Sequence, residues 1–311
     1  ICQIEGVEGI AIDYHRLVDV VLPTTLWPNY GIVQDREYPQ WDYGYHPEMI
    51  KAFKEKHGYD PREQEDPSKD EKWLKFRCDM VSEVANLVAE VVHKNGKVMS
   101  ASPFPTPKMA ARMVRQYWGD WNLDIVFPMV YHNFYTEDVS FVADCTIENA
   151  RDKQDMTTLG AGVWAYNTPE MFATMDAAFN NGAQAISMFT AEEIKDPAIR
   201  KQFKEYADSV RAARKANGGV VKATYPKVAD PDPFKKEGVM KVIESRMQKL
   251  IAEADGKTEL APLALGEYEF KGQEDITKRY EVTDANSKKT FDVYFYFYGD
   301  ILSGWNVYLK K

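Results

Sequence analysis

Residues 9–16 read Gly9-Ile10-Ala11-Ile12-Asp13-Tyr14-His15-Arg16. Four small or apolar residues lead straight into an acid, a phenol, an imidazole and a guanidinium. The pattern is that of a short strand buried along its length and chemically equipped at its C-terminal tip. The same order of apolar run, polar tip and amphipathic helix returns downstream. Strands are predicted at 9–15, 97–103, 124–131, 157–164 and 183–189. Between them, the stretch 73–95 places Leu74, Met80, Val81, Val84, Val88, Val91 and Val92 at spacings of three and four, with Gly96 as its stop. Thr168-Pro169-Glu170 opens a second helix toward 181, and Asp196-Pro197 a third that ends at Gly218-Gly219.

Strands alternating with helices imply parallel pairing, with the crossovers covering the sheet. An open doubly wound sheet and a (β/α)8 barrel both satisfy that rule. The first calls for a glycine-rich phosphate turn between a strand and a helix. Gly160-Ala161-Gly162 lies inside a strand and leads into Val163-Trp164, so it is not such a turn. The strands end instead in polar and aromatic tips, at 13–16, 100–102, 131–133, 164–166 and 190–193. Barrel enzymes build their active sites from these ends. The expected fold is therefore α/β, a portion of a (β/α)8 TIM barrel. Five units are visible where closure needs eight, and only eight residues precede the first strand. The visible strands are thus expected to be units four to eight, leaving an edge that invites oligomerisation.

Past residue 219 the composition shifts, and the expected organisation is a barrel portion at 1–219, a linker at 220–232 and a small α+β module at 233–311. "KVADPDPF" at 227–234 supplies the linker prolines. A helix is predicted over about 233–254, then strands near 263–271, 276–283, 290–298 and 304–309, with a turn at 284–287. From 291 to 298, Phe and Val take the odd positions and Asp and Tyr the even ones, so the strand has two distinct faces. The tyrosines are expected to pack beneath the preceding helix.

The 311 residues are 44% hydrophobic, enough for two domains with cores. A net charge of −9 without Lys/Arg runs excludes a basic nucleic-acid footprint. No apolar stretch reaches the ~20 residues of a transmembrane segment. The opening "ICQIEGVEG" lacks the basic start and apolar core of a signal peptide. Cys2, Cys78 and Cys145 are odd in number and lack CxxC spacing, which favours buried free thiols over zinc or disulfides. No cofactor is implied. His15 and His132 with Asp13 lack the second carboxylate or HxH spacing of a metal site.

Asp13 is the first candidate for chemistry, because an acid at the end of a buried strand needs partners or a function. Arg16 and His15 are within reach as partners, and a structural ion pair is the plain alternative. His132, beside Tyr131, ends another strand. Trp27, Trp41, Tyr43, Tyr45, Tyr131, Trp164 and Tyr166 all lie at or after strand ends. Each could be core, but together they suit a carbohydrate cleft, since aromatic faces stack on sugar rings. The insertion 17–48 is too long for a simple βα loop and carries Asp19, Asp35, Arg36, Glu37 and Asp42. A solvated face is the ordinary role for each of these. Glycosidic hydrolysis needs a second carboxyl group. Glu192 and Glu193, or Glu37 and Asp35, are the available sources.

The ordered series "GIAIDYHR", "LWPNYGIVQDREYPQWDYGYHPEMIKAFKEKHGYDP", "WLKFRCDMVSEV", "SASPFPTP", "YWGDWNLDIVFPMVYH" and "GAQAISMF" resembles the glycosyl hydrolase-like family 10 proteins of Bacteroidetes over about residues 9–218. The resemblance implies a (β/α)8 barrel related to the retaining hydrolases, acting on glycans such as peptidoglycan strands. It also implies an extracellular, periplasmic or cell-surface location. By it, Asp13 matches the acid of a "DYxR" strand, with Tyr14 and Arg16 beside it, and Tyr131 matches a "PMxY" strand end. The expected activity is carboxylate-dependent cleavage of glycosidic bonds. Asp13, Glu37 and Glu192 are the candidate catalytic groups. Tyr14, His15, Arg16, Trp27, Tyr131, His132, Trp164 and Tyr166 are the candidate sugar contacts. The alternative is a non-catalytic glycan-binding protein on a degenerate barrel.

Overall fold

The computed structural model describes residues 1–165, 168–218 and 230–310, apart from the side chains of Thr168 and Glu193. The chain forms two compact units from interleaved segments. The first comprises Ile1–Val21, Tyr38–Tyr131 and Val142–Val228. The second comprises Leu22–Glu37, His132–Phe141 and Ala229–Lys311. Two stretches read from sequence as part of the barrel portion, 22–37 and 132–141, thus cluster with the C-terminal residues. Most of the linker read at 220–232 lies outside the described residues.

In the first unit, β1 (Gly9–Ile12), β2 (Val98–Ala101), β3 (Ile125–Val126), β4 (Thr158–Trp164) and β5 (Ala185–Phe189) form one parallel sheet in the order β1-β2-β3-β4-β5. The sheet is curled like half a barrel. Each crossover steps one strand in the same direction. With right-handed connections, all helices then fall on one face and the sheet bends around the other. No reversal of order occurs, as a doubly wound sheet would require. The helices are α1 (Pro47–His57), α2 (Glu71–Lys94), α3 (Pro107–Val114), α4 (Ser140–Asp152, of this unit from Val142 onward), α5 (Thr168–Asn180) and α6 (Pro197–Ala216).

One face of the sheet is sealed: Met99, Ala101, Val126, Leu159, Ala161 and Val163 are all at most 2% exposed. The other is partly open. Ala11 pairs in register with Ser100, and Gly162 with Ser187, and both Ala11 and Ser187 are exposed. The strand that opens the sequence is therefore not buried along its length, because β1 is an edge strand and its open face has no cover among the described residues. It also stops at Ile12. Asp13 Oδ1 accepts the N–H of Tyr14 at 2.8 Å, and Tyr14 turns to φ +55°, which ends the extended run.

The strand expected at 124–131 shortens to Ile125–Val126 for a different reason: Pro128 has no N–H to give to a ladder. Its path is held all the same. Phe127 donates to Ala101, Met129 to Pro103, Gly162 to Pro128 and Val130 to Gly162.

Helix α2 starts where Asp70 Oδ1 accepts the N–H groups of Lys72 and Trp73, and stops before Gly96 at φ +65°. Its apolar residues divide between two faces. Trp73, Phe76, Val81, Ala85, Ala89 and Val92 are buried, whereas Met80, Val84 and Val91 are exposed.

In the second unit, α7 (Glu237–Asp255) packs on an antiparallel sheet of β6 (Glu269–Glu274), β7 (Thr277–Thr283), β8 (Thr290–Tyr298) and β9 (Ile301–Leu309), in that order. Val239, Ile243, Met247 and Ile251 of the helix meet Phe291, Val293, Phe295 and Phe297, the odd residues of β8. The tyrosines take the opposite face, contrary to the sequence expectation. That face is covered by 22–37: Trp27 sets its edge against the Tyr296 ring at 4.9 Å. Thr24 packs over Gly304, where a Cβ would stand 2.4 Å from its Oγ1. Glycine is needed at 304 because of this close approach.

Candidate functional site

The C-terminal strand ends of the first unit bring together an acid and an aromatic cluster. Tyr131, past β3, stacks on Phe189 at the end of β5, with ring centroids 5.5 Å apart and planes 26° from parallel. Trp164, at the end of β4, lies 5.9 Å from Tyr131 and 5.8 Å from Phe189. Trp164 and Phe189 are register partners in the sheet and so share a face. Phe189 is exposed, and Tyr131 and Trp164 are half-buried. Burial, and then the Asp13 carboxylate, push the Tyr131 phenol up to about 12. Asp13 itself is exposed, so its carboxylate stays hydrated at the mouth. Sequence reading missed Phe189, although its place at the end of an apolar strand was a usable signal.

The neighbours of Asp13 have separate duties. Arg16 donates to Asp19 Oδ1 at 2.6 Å, and its guanidinium lies over the rings of Tyr14 at 5.2 Å and Phe104 at 5.0 Å. Burial raises the Asp19 carboxyl and Arg16 opposes that shift. Arg16 thus serves Asp19 and two aromatic faces, one of them the highly exposed Tyr14. His15 turns toward the helices: its Nε2 is 2.7 Å from the Val81 carbonyl and its ring 5.3 Å from Trp121.

Glu192 is exposed and receives a 2.5 Å hydrogen bond from Lys195. Glu37, His132 and Trp27 belong to the second unit, and all three are buried. Trp27 donates its Nε1 hydrogen to the Leu22 carbonyl at 2.9 Å and packs on Tyr296. The His132 carbonyl accepts from Tyr135 and Glu137, shaping its turn. Tyr166 lies outside the described residues.

The loop acids are not all on a solvated face. Asp42 is buried in the first unit, where its Oδ2 accepts from Arg77 at 2.5 Å and Arg115 at 3.3 Å. Burial alone would raise this carboxyl, but the two guanidinium groups outweigh it and hold it below its ordinary range. Arg77 in turn lies over the Trp73 ring at 4.6 Å. This cluster fixes the loop after Tyr38 to α2 and is structural.

Among the described residues, no three His, Cys, Asp or Glu side chains group as metal ligands. Cys78 and Cys145 are buried and are not joined in a disulfide. Among the same residues, no helix is long and apolar enough to cross a membrane. No protein-family description, curated protein or solved structure matches the chain. The site therefore stands on its own chemistry: three aromatic rings on the strand ends of a curled parallel sheet, one of which, Tyr131, feels the charge of the exposed Asp13.

Proposed function

We propose that the strand-end mouth of the first unit binds a saccharide, and that the unit is part of a (β/α)8 barrel of the glycoside hydrolase-like kind. The sequential strand order supports the barrel, since stepping always in one direction closes a sheet on itself once enough strands are present. The observation that carries the saccharide reading is the cluster of Tyr131, Trp164 and Phe189 at the strand ends, with the Asp13 carboxylate acting on the Tyr131 phenol. A pyranose would lay its C–H face on Trp164 or Phe189 and turn its hydroxyl groups to the Asp13 carboxylate.

In the hydrolytic form of this proposal Asp13 is the nucleophile. It attacks the anomeric carbon as the bond to the glycosidic oxygen breaks, and a second carboxyl group protonates the departing oxygen. Water then cleaves the glycosyl–Asp13 ester and returns the proton. Glu192, exposed after β5, is the candidate for that second role, and its Oε2 is taken up by the Lys195 ammonium at 2.5 Å. That pairing supports a second reading, in which the mouth holds glycan without cleaving it. By the family resemblance the substrate would be an extracellular or cell-surface glycan.

Calorimetry with oligosaccharides, including peptidoglycan fragments, together with an assay for new reducing ends, tests both forms. Hydrolysis predicts turnover that falls at least about 100-fold in Asp13→Asn. Turnover unchanged by that substitution removes Asp13 from the mechanism. Binding that weakens in Trp164→Ala without turnover in the parent protein selects the second reading. Absence of binding to every oligosaccharide overturns both.

A further inference from the structure

The sheet of the second unit has two edges of different character. At β6 the edge carries Glu269, Lys271 and Glu274, all exposed, and its register shifts between Phe270 and Gly272. Charges and a bulge are the usual means of blunting an edge against further pairing. At β9 the stretch from Trp305 to Leu309 bears no charge. Lys310 donates its N–H to the Thr290 carbonyl at 2.9 Å, across the ladder to β8. By the two-residue alternation of an antiparallel pair, Tyr308 and Asn306 also direct their backbone groups to β8. Those of Trp305, Val307 and Leu309 point the other way, off the edge of the sheet.

A cleft of about 750 Å³ runs beside these five residues. One wall holds Trp27, Pro28, Ile32 and Val33, and the other holds Leu250 and the stem of Arg246 on α7. Glu137 and Arg246 give the cleft one acid and one base, so it carries no net charge. Five strand residues span about 17 Å. The cleft thus offers a floor of three outward N–H and C=O pairs between apolar walls, with electrostatics that suit an uncharged backbone.

We propose that the outer edge of β9, which pairs with no further strand among the described residues, accepts an extended, uncharged segment of a partner polypeptide as a fifth strand. The backbone pairs would supply the affinity, and the two walls would receive the alternating side chains. A second copy would bring to the edge its own β9 flanked by the same Trp27, Ile32, Val33 and Leu250 side chains, whereas a single strand brings none, so the single strand is the occupant proposed.

The test uses the full chain and a defined probe, N-acetyl-Val-Thr-Val-Thr-Val-amide. Backbone amide hydrogen exchange is followed by NMR as the peptide is titrated to millimolar concentration. The expected result is slowing of at least about tenfold at Trp305, Val307 and Leu309. The same peptide N-methylated at alternate residues should leave exchange there unchanged. Val307→Pro removes a hydrogen that faces away from β8 and should abolish the effect, with a retained cooperative urea transition showing that the fold survives the change to this buried side chain. No slowing at millimolar peptide, or equal slowing by the N-methylated peptide, overturns the proposal. Slowing that appears without peptide and grows with protein concentration assigns the edge to a second copy and overturns it equally.

Discussion

Glu148 is a buried acid on α4 whose nearest cation is the Lys108 ammonium, 4.0 Å from its Oε2. Burial raises its carboxyl above the ordinary 4.5, and Lys108 only partly counters that. The sign of the consequence follows from linkage. The folded protein holds this proton more tightly than the unfolded chain, so the stabilisation is complete below 4.5 and is lost as pH rises through the raised value. Glu148→Gln keeps the shape and removes the titration. Melting temperatures taken from about pH 4 to pH 8 should show the variant gaining on the parent protein as pH rises. A constant difference across that range would mean that Glu148 does not titrate as its burial requires. Residue-level chemistry of this kind was poorly legible in the sequence. Asp13 could be found because a strand end marks it. Asp42 could not, since its partners Arg77 and Arg115 lie 35 and 73 residues away and no periodicity links a loop acid to them.

At the scale of elements, starts were easier to read than ends. Asp196 announces its helix through a side chain that satisfies free N–H groups, which is local chemistry, and Asp70, which the apolar spacing alone does not single out, does the same for α2. The end of β1 depends on one side-chain bond from Asp13 to its neighbour's N–H, and the shortness of β3 on one proline. The apolar spacing of α2 gave its existence and not its faces, because Met80, Val84 and Val91 satisfy the period without being buried. Its N-cap also holds the preceding loop, as the Tyr59 hydroxyl donates to Asp70 Oδ2 at 2.7 Å. Asp70→Ala removes the cap and leaves that hydroxyl without its acceptor. The expected loss is about 1–2 kcal/mol in urea unfolding, with Asp70→Asn recovering most of it. Equal losses in the two variants would point to the charge rather than the cap.

For the whole molecule, the break in composition after residue 219 falls between the strands of the parallel sheet and those of the antiparallel one. It does not show that the units are interleaved. Leu22, Trp27, Ile32 and Val33 read as an insertion between a strand and a helix, and nothing local assigns them to a sheet that begins at Glu269. The physical reason they belong there is the sheet itself. Its odd side chains are buried by α7, and its other face carries Tyr296 and Gly304, which Trp27 and Thr24 cover. Burying one large side chain contributes roughly 1.5–3 kcal/mol, and a domain has only about 5–15 kcal/mol in total. Residues 233–311 expressed alone would present that second face, with Tyr296 and Tyr298, to water. They should therefore unfold without a cooperative transition in urea, or sediment as an associated species. Joining 22–37 back through a flexible linker should restore a cooperative, monomeric unit. If 233–311 alone proves monomeric and unfolds cooperatively, the face does not need its cover and the two-segment core is not a single energetic unit.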